Sequence, residues 1–259
     1  MDNVQGKVAV VTGGSRGLGK TIARKLLEEG MTVVVADILE AELRESVREF
    51  TAAGLKADAF VADLGKVQDI ERLIAYAAEK YGALDVLVNN AGIQIRKPAV
   101  EFEEADWDKL MGINLKAFYF ASTAAARIMI PRRRGSIVCI SSANSTAYTS
   151  RRSLYNISKA AVNGLVGTLG VEWARYGVRI NAVAPGYVET DMVMQGVRDG
   201  IINLEELLTV FPIKRMMKPE EIAAAVSFLA SDAASGVVGQ TLFVDGGWSK
   251  NGLPEKKEL

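Results

Sequence analysis

Short, almost wholly apolar runs alternate with longer amphipathic segments along nearly the whole chain. That alternation narrows the fold more than any other feature. The runs lie at 7–12, 32–36, 57–62, 84–88, 135–141, 178–182 and 241–244 and are rich in Val, Ile, Leu and Ala. Such runs mark strands covered on both faces, where a strand with one wet face would alternate apolar and polar residues. Segments 18–29, 40–53, 67–81, 103–130, 153–176 and 219–231 carry helical spacing, the fourth as one long or two consecutive helices. Gly30, Gly54, Gly82 and Gly177 stand where helices end, and Pro219 stands at a permitted first-turn position. Strands separated by helices pair in parallel, because each crossover needs a helix's length. The expected fold is therefore α/β: a doubly wound, seven-stranded parallel sheet with helices on both faces, in a single domain over 1–259.

Two stretches depart from the pattern. Residues 189–211 have weak helical periodicity between two strong elements. A lid over a pocket and an ordinary helical excursion both fit this. The polar tail 250–259 reads as frayed.

Composition removes whole classes of chemistry. The 259 residues include 31 Lys and Arg, 31 Asp and Glu, no histidine and one cysteine, Cys139. Catalysis by Ser-His-Asp or Cys-His is excluded, as are histidine metal sites, thiolate clusters and an intrachain disulfide. No metal site is expected. Acid–base work falls to Asp, Glu, Lys, Tyr or Cys. The balanced charge argues against nucleic acid as a partner. Lys116 and Arg127 interrupt the longest apolar stretch, so it reads as a buried helix and not a membrane span. The start lacks the pattern of a secretory leader, and the expectation is a cytoplasmic protein.

Two constellations carry chemistry. Thr12-Gly13-Gly14-Ser15-Arg16-Gly17-Leu18-Gly19 joins the first strand to the first helix. Its glycines allow a tight turn and close approach of a pyrophosphate to the helix N-terminus, although a plain glycine turn fits the spacing too. Asp37 ends the second strand, where an acid can bind an adenosine ribose or merely cap the following helix. With Ile38 next to it, Asp37 favours NAD. Arg16 leaves NADP possible. The second constellation pairs Tyr155 with Lys159, four apart and so on one helix face. An ammonium near a phenol is expected to pull its pKa below the usual value of about 10. Ser142, just past the fifth strand, can hydrogen-bond a substrate carbonyl, and Ser141 is its neighbour.

Taken with Asp63-Leu64, Asn89-Asn90-Ala91-Gly92, Asn114 and Pro185-Gly186 with Thr190, these residues resemble the short-chain dehydrogenase/reductase family. The resemblance runs from near residue 5 to Gly247. It implies a Rossmann sheet in the order 3-2-1-4-5-6-7 and hydride transfer to or from a nicotinamide cofactor. It implies that Tyr155 exchanges the alcohol proton and that Lys159 lowers its pKa and holds the nicotinamide ribose. Ser142 would polarise the carbonyl, and Asn114 would position a relay water. The cofactor set it implies is Gly13, Ser15, Arg16, Gly17, Leu18, Gly19, Asp37, Ile38, Asp63, Leu64, Asn90, Gly92, Tyr155, Lys159, Val188 and Thr190.

Within the family, the run from Asn89 to Gln94, Arg96-Lys97-Pro98, Asp106-Trp107, Glu172-Trp173-Ala174 and Pro185-Gly186-Tyr187 resemble gluconate 5-dehydrogenases and related sugar-acid and polyol dehydrogenases. Such substrates carry a carboxylate. Arg96 and Arg152, together with Ser142 and Tyr155, are the candidate substrate residues, and Arg151 is a further candidate. Two alternatives stay open: a 3-oxoacyl-acyl-carrier-protein reductase and a non-catalytic NAD-binding regulator. The resemblance also favours a homotetramer. In helix 153–176, apolar Leu154, Ile157, Ala161, Leu165, Val166, Leu169 and Trp173 either pack on the sheet or meet a partner subunit.

Overall fold

The central strands are covered on both faces, while the edge strands Ala57–Val61 and Thr241–Val244 are only partly buried. In the computed structural model, which describes residues 4–200 and 202–251, β1 is Val8–Thr12 and is buried throughout. The other strands are β2 (Thr32–Asp37), β3 (Ala57–Val61), β4 (Val86–Asn89), β5 (Gly135–Ile140), β6 (Val178–Pro185) and β7 (Thr241–Val244). The α-helices between them are α1 (Gly17–Glu28), α2 (Glu40–Ala52), α3 (Val67–Tyr81), α4 (Glu104–Met111), α5 (Ala117–Met129), α6 (Ser153–Trp173), α7 (Asp191–Arg198), α8 (Leu204–Thr209) and α9 (Pro219–Ala230). The expected tail lies outside the described residues from 252 onward.

All seven strands pair in parallel in the order β3-β2-β1-β4-β5-β6-β7. Alternate residues of each strand feed opposite cores. Ala9, Val11, Val33, Val35, Val86 and Val88 face α1, α2 and α9, burying Ile22, Leu26, Phe50 and Val226. Val10, Val34, Leu87, Ile137 and Ile180 face α3, α5 and α6, burying Leu73, Phe118 and Val166. The sheet is thus the doubly wound Rossmann-type arrangement that the alternation implied. The chain reverses its direction of travel across the sheet between β1 and β4. Neighbouring crossover helices diverge there, and a crevice opens at the carboxyl ends of the strands.

Two boundaries differ from the sequence reading. β6 runs on to Pro185, because Ala182 to Pro185 pair with Thr241 to Val244 of β7. Proline is tolerated there because it closes the strand, where no further ladder donor is needed. The expected long helix 103–130 is continuous but contains a π-helical turn, Gly112–Lys116, between α4 and α5. The extra residue of a π-turn re-aims the side chains on it, and Asn114 lies within it.

At the opposite end of the sheet Asp85 ties β1 to the turn before β5. It accepts from Val8 N–H (3.0 Å), Arg134 Nη2 (2.7 Å) and Arg132 Nη2 (3.3 Å). Burial pushes its carboxyl up, but the Val8 hydrogen bond and the two guanidinium groups outweigh that and hold it below the usual range. A depressed folded pKa stabilises the fold above the unfolded carboxylate value of about 3.9, and this stabilisation is lost as pH falls through the folded value. We expect Asp85→Asn to cost about 3 kcal/mol in urea unfolding at neutral pH and to flatten the acid limb of the stability curve.

Candidate active site

The crevice is locked open from below by two side chains. Asn90 Nδ2 donates to the Thr12 and Gly13 carbonyls (2.9 and 3.0 Å). Thr12 Oγ1 accepts from the N–H groups of Asn90 (3.0 Å) and Ala91 (3.2 Å) and donates to the Val88 carbonyl (3.2 Å). These bonds fasten the loop after β1 to the loop after β4.

On this base the glycine loop packs with no room to spare. A Cβ on Gly19 would lie 2.0 Å from the Gly13 carbonyl oxygen, and one on Gly13 would lie 2.8 Å from Ala91 Cα. Gly13 and Gly17 have φ of 64° and 53°, the left-handed region that glycine enters freely. No side chain caps the start of α1, and no acid stands in its first turn. Its free N–H groups and dipole therefore suit an anion.

From the loop, a groove of about 950 Å³ runs past Asp37, Ile38, Asp63 and Leu64. A cleft of about 770 Å³ continues from it past Ser142, Tyr155 and Lys159. Arg16, Leu18, Asn90, Gly92, Ile93 and Thr190 wall both, so the two form one channel. Its length, the glycine cradle and the acid beyond β2 fit an extended dinucleotide. Asp37 takes Ser15 N–H (3.2 Å) and Ser15 Oγ (2.6 Å) on one oxygen and Leu39 N–H (3.1 Å) on the other. Its orientation is therefore fixed. Ser15 itself is buried, with its hydroxyl spent on Asp37. Val188 is buried beside Thr190, whose hydroxyl caps α7 through Val193 N–H (3.4 Å).

In the cleft, α6 places Tyr155 and Lys159 one turn apart, with the Lys159 ammonium 5.7 Å from the Tyr155 ring centre. Lys159 Nζ donates to the Ile140 carbonyl (2.7 Å), and burial lowers its pKa to about 8. Ser142 Oγ accepts from Asn144 N–H (3.1 Å), which leaves its own proton to donate into the cleft. Ser141 is turned away: its hydroxyl donates to Asn163 Oδ1 (2.7 Å) and also lies 3.1 Å from Lys159 O, pinning α6 to the end of β5.

One sequence expectation is corrected. The phenol of Tyr155 lies above its ordinary value, because burial disfavours the phenolate by more than the Ser142 hydroxyl and the Arg152 charge favour it. Asn114 is fully buried. Its amide exchanges hydrogen bonds with the Ile93 peptide (2.8 and 2.9 Å) and donates to Ser158 Oγ (3.2 Å). These bonds hold the Gly92–Ile93 backbone beside Asn114, and a Cβ on Gly92 would lie 3.7 Å from Lys159 Nζ.

Arg96 and Arg152 both wall the cleft, and among the described residues neither forms an ion pair with a carboxylate. Arg96 Nε donates to Gln94 Oε1 (2.8 Å), and Arg152 Nη2 donates to Tyr187 Oη (2.6 Å). Burial and the neighbouring Arg152 charge lower the Arg96 pKa. Sequence reasoning missed Tyr187, Asn144, Ile202 and Trp248 as cleft residues. Tyr187 was the legible one, standing directly after the proline and glycine that close β6. Trp248 carries no local signal.

A doubly wound sheet with a dinucleotide channel and a Ser-Tyr-Lys cleft defines a nicotinamide-dependent oxidoreductase. Residues 13–249 match the family described as enoyl-(acyl carrier protein) reductase. The chain belongs to the short-chain dehydrogenase/reductase family. It is 38% identical over 247 residues to a 2-dehydro-3-deoxy-D-gluconate 5-dehydrogenase of Dickeya dadantii, covering 95% of this chain and 96% of that one. It is 37% identical over 244 residues to a 3-oxoacyl-acyl-carrier-protein reductase of Thermotoga maritima, covering 94% and 98%. Among solved structures it resembles a gluconate 5-dehydrogenase from Burkholderia cenocepacia in complex with NADP and tartrate. That likeness has a TM-score of 0.90, 38% identity and coverage of 96% and 98%.

The loop geometry makes Gly19 intolerant of any side chain. We expect Gly19→Ala to weaken binding of reduced nicotinamide dinucleotide at least about tenfold, read by the cofactor's fluorescence, with the fold retained by circular dichroism.

Proposed function

We propose that this single-domain enzyme interconverts a secondary alcohol and a ketone on a small sugar acid, with NAD preferred. The observation that carries the substrate class is the pair Arg96 and Arg152. Two guanidinium groups without a carboxylate partner share a cleft with Tyr155 and Ser142, and an anionic substrate would complete them. The sugar-acid names of the similar proteins support this reading.

The bound cofactor supplies or accepts the hydride. In ketone reduction, Ser142 donates a hydrogen bond to the carbonyl oxygen and Tyr155 gives it a proton. In oxidation, Tyr155 takes the alcohol proton. Lys159 holds positive charge beneath the reaction and offers its remaining N–H groups to the cofactor ribose. Asn114 keeps the Gly92–Ile93 wall in place behind them. The glycine loop, Asp63, Leu64, Asn90, Val188 and Thr190 hold the rest of the cofactor. Segment 189–211 acts as the lid, with Val193 and Gly196 of α7 and Ile202 beyond it lining the cleft.

Because burial holds the Tyr155 phenol up, its protonated form dominates at neutral pH. The phenolate that oxidation requires accumulates toward alkaline pH. Oxidation is therefore expected to speed up, and reduction to slow, as pH rises toward and past the ordinary phenol value of about 10. Opposite slopes of log kcat/KM in the two directions would show this, and parallel slopes would remove Tyr155 from the role.

The NAD preference rests on Asp37, whose carboxylate would face a 2′-phosphate. Arg16 is the opposing charge, and the NADP-bound relative shows that the family accommodates that phosphate. The decisive assay follows nicotinamide absorbance with NAD and NADP separately, against aldonates, polyols and a 3-oxoacyl thioester. Turnover of an aldonate is expected, with kcat/KM about tenfold higher for NAD and lost in Tyr155→Phe. Arg96→Ala should then raise the KM for the aldonate. Turnover confined to the thioester would favour the acyl-carrier reading, which the Thermotoga maritima relative supports.

Assembly as a homotetramer in the cytoplasm completes the proposal. Leu154, Val162, Val166, Leu169 and Trp173 of α6 are buried within the chain, but Ile157 and Val171 remain exposed at 47% and 83%. Sedimentation should give one species of about four subunits.

A further inference from the structure

The Arg152 guanidinium is buried, carries no carboxylate partner among the described residues, and is held by a single neutral side chain. Tyr187 Oη accepts from Arg152 Nη2 at 2.6 Å. A long cationic side chain in a wet cleft samples many rotamers unless something fixes it. The hydrogen bond takes one N–H and leaves the others free for a planar anion.

Tyr187 is itself unusually well braced. Its ring meets Phe211 edge-on (centroids 6.2 Å apart, 83° between planes) and Trp248 at a tilt (5.6 Å, 44°). Phe211 and Trp248 close the triangle at 5.6 Å, and Phe211 is fully buried. Backbone geometry sets the triangle. A Cβ on Gly186, just past β6, would lie 3.0 Å from Asp245 Cα and 3.1 Å from Phe211 Cε1, so a side chain there would push on both neighbours. Asp245 accepts from Gly247 N–H (3.0 Å) and Ser249 N–H (2.9 Å), which fixes the turn carrying Trp248.

We propose that Tyr187 is a positioning residue: braced by Phe211 and Trp248, it holds Arg152 in the cleft so that Arg152 and Arg96 together grip the carboxylate of the substrate. This rests on the acidic-substrate reading above. Arg96 is held separately by Gln94, so the two cations approach the anion from independent supports. Their mutual repulsion, felt at Arg96, is relieved when a carboxylate lies between them.

The test compares gluconate with glucitol, its neutral counterpart of equal chain length, in the wild type, Tyr187→Phe, Arg152→Gln and the double variant. Tyr187→Phe keeps the ring and its packing and removes only the hydroxyl. We expect KM for gluconate to rise about tenfold in each single variant with little loss of kcat, and the acid-over-polyol preference to fall by the same factor. The double variant should be no worse than Arg152→Gln, because Tyr187 acts only through Arg152. Additive losses, or an equal rise of KM for glucitol, would overturn the proposal by showing that Tyr187 serves the substrate or the fold directly. If Tyr187→Phe folds poorly, Trp248→Phe loosens the brace and should raise KM for gluconate alone; a rise for both substrates would count against the proposal. A wild type that turns over gluconate no better than glucitol defeats the acidic-substrate reading and this inference with it. A wild-type preference that Arg152→Gln abolishes and Tyr187→Phe leaves intact defeats this inference alone.

Discussion

The carboxyl ends of β1 and β4 are fastened together by Thr12 and Asn90, and everything that this chain can bind or turn over depends on that fastening. β1 and β4 are where the order of the sheet reverses, so the crossover helices on either side lead away from their carboxyl ends. Without the Asn90 amide bridging the Thr12 and Gly13 carbonyls, the glycine loop would have no fixed floor. With it, the start of α1 is presented uncapped to the channel, and Gly92 is set beside Asn114 and Lys159. A Cβ on Gly92 would come within 3.4 Å of Asn114 Oδ1 and 3.7 Å of Lys159 Nζ. One small polar lock thus aligns the dinucleotide groove with the reacting cleft.

The reacting groups are governed by burial more than by mutual charge. Tyr155 and Lys159 share a helix face, but Lys159 turns its ammonium to the Ile140 carbonyl. Desolvation then pushes both groups toward their neutral forms, the phenol upward and the ammonium downward. A pair so poised changes charge readily when an anionic or polar ligand enters, because the cost of charging falls as soon as a hydrogen-bonding partner arrives. Ser142, already accepting from the Asn144 N–H, has only one direction in which to give its own proton.

Much of this was legible in the sequence because it depends on spacing. Continuous apolar runs fixed the parallel sheet, the glycines fixed the loop, and the interval of four placed Tyr155 and Lys159 on one face. Asp37 at the end of β2 was legible for the same reason, since the strand's length sets where its last residue emerges. The choice of Ser142 over Ser141 came from the family's spacing and not from the two residues themselves. They are adjacent, and only the packing of β5 against Asn163 on α6 shows that Ser141 is committed elsewhere. The π-turn carrying Asn114 was hidden as well, because helical periodicity over a long segment averages out one inserted residue.

The sequence by itself therefore determined the class of fold, the crevice at the carboxyl ends of the strands and the residues that line its centre. The class of fold follows from local periodicity and the few connections that parallel strands allow; the strand order that places the crevice and the residues that line it follow from the family resemblance. Tertiary structure decided the electrostatics and the outer wall. The direction of the Tyr155 shift comes from how completely α6 and its neighbours exclude water, a sum over distant segments that no local motif encodes. The brace of Tyr187 by Phe211 and Trp248 joins side chains from β6's exit, the end of segment 189–211 and the turn after β7. Their meeting is a consequence of the β6–β7 register, in which Pro185 lies opposite Val244, and of the close contact that Gly186 permits.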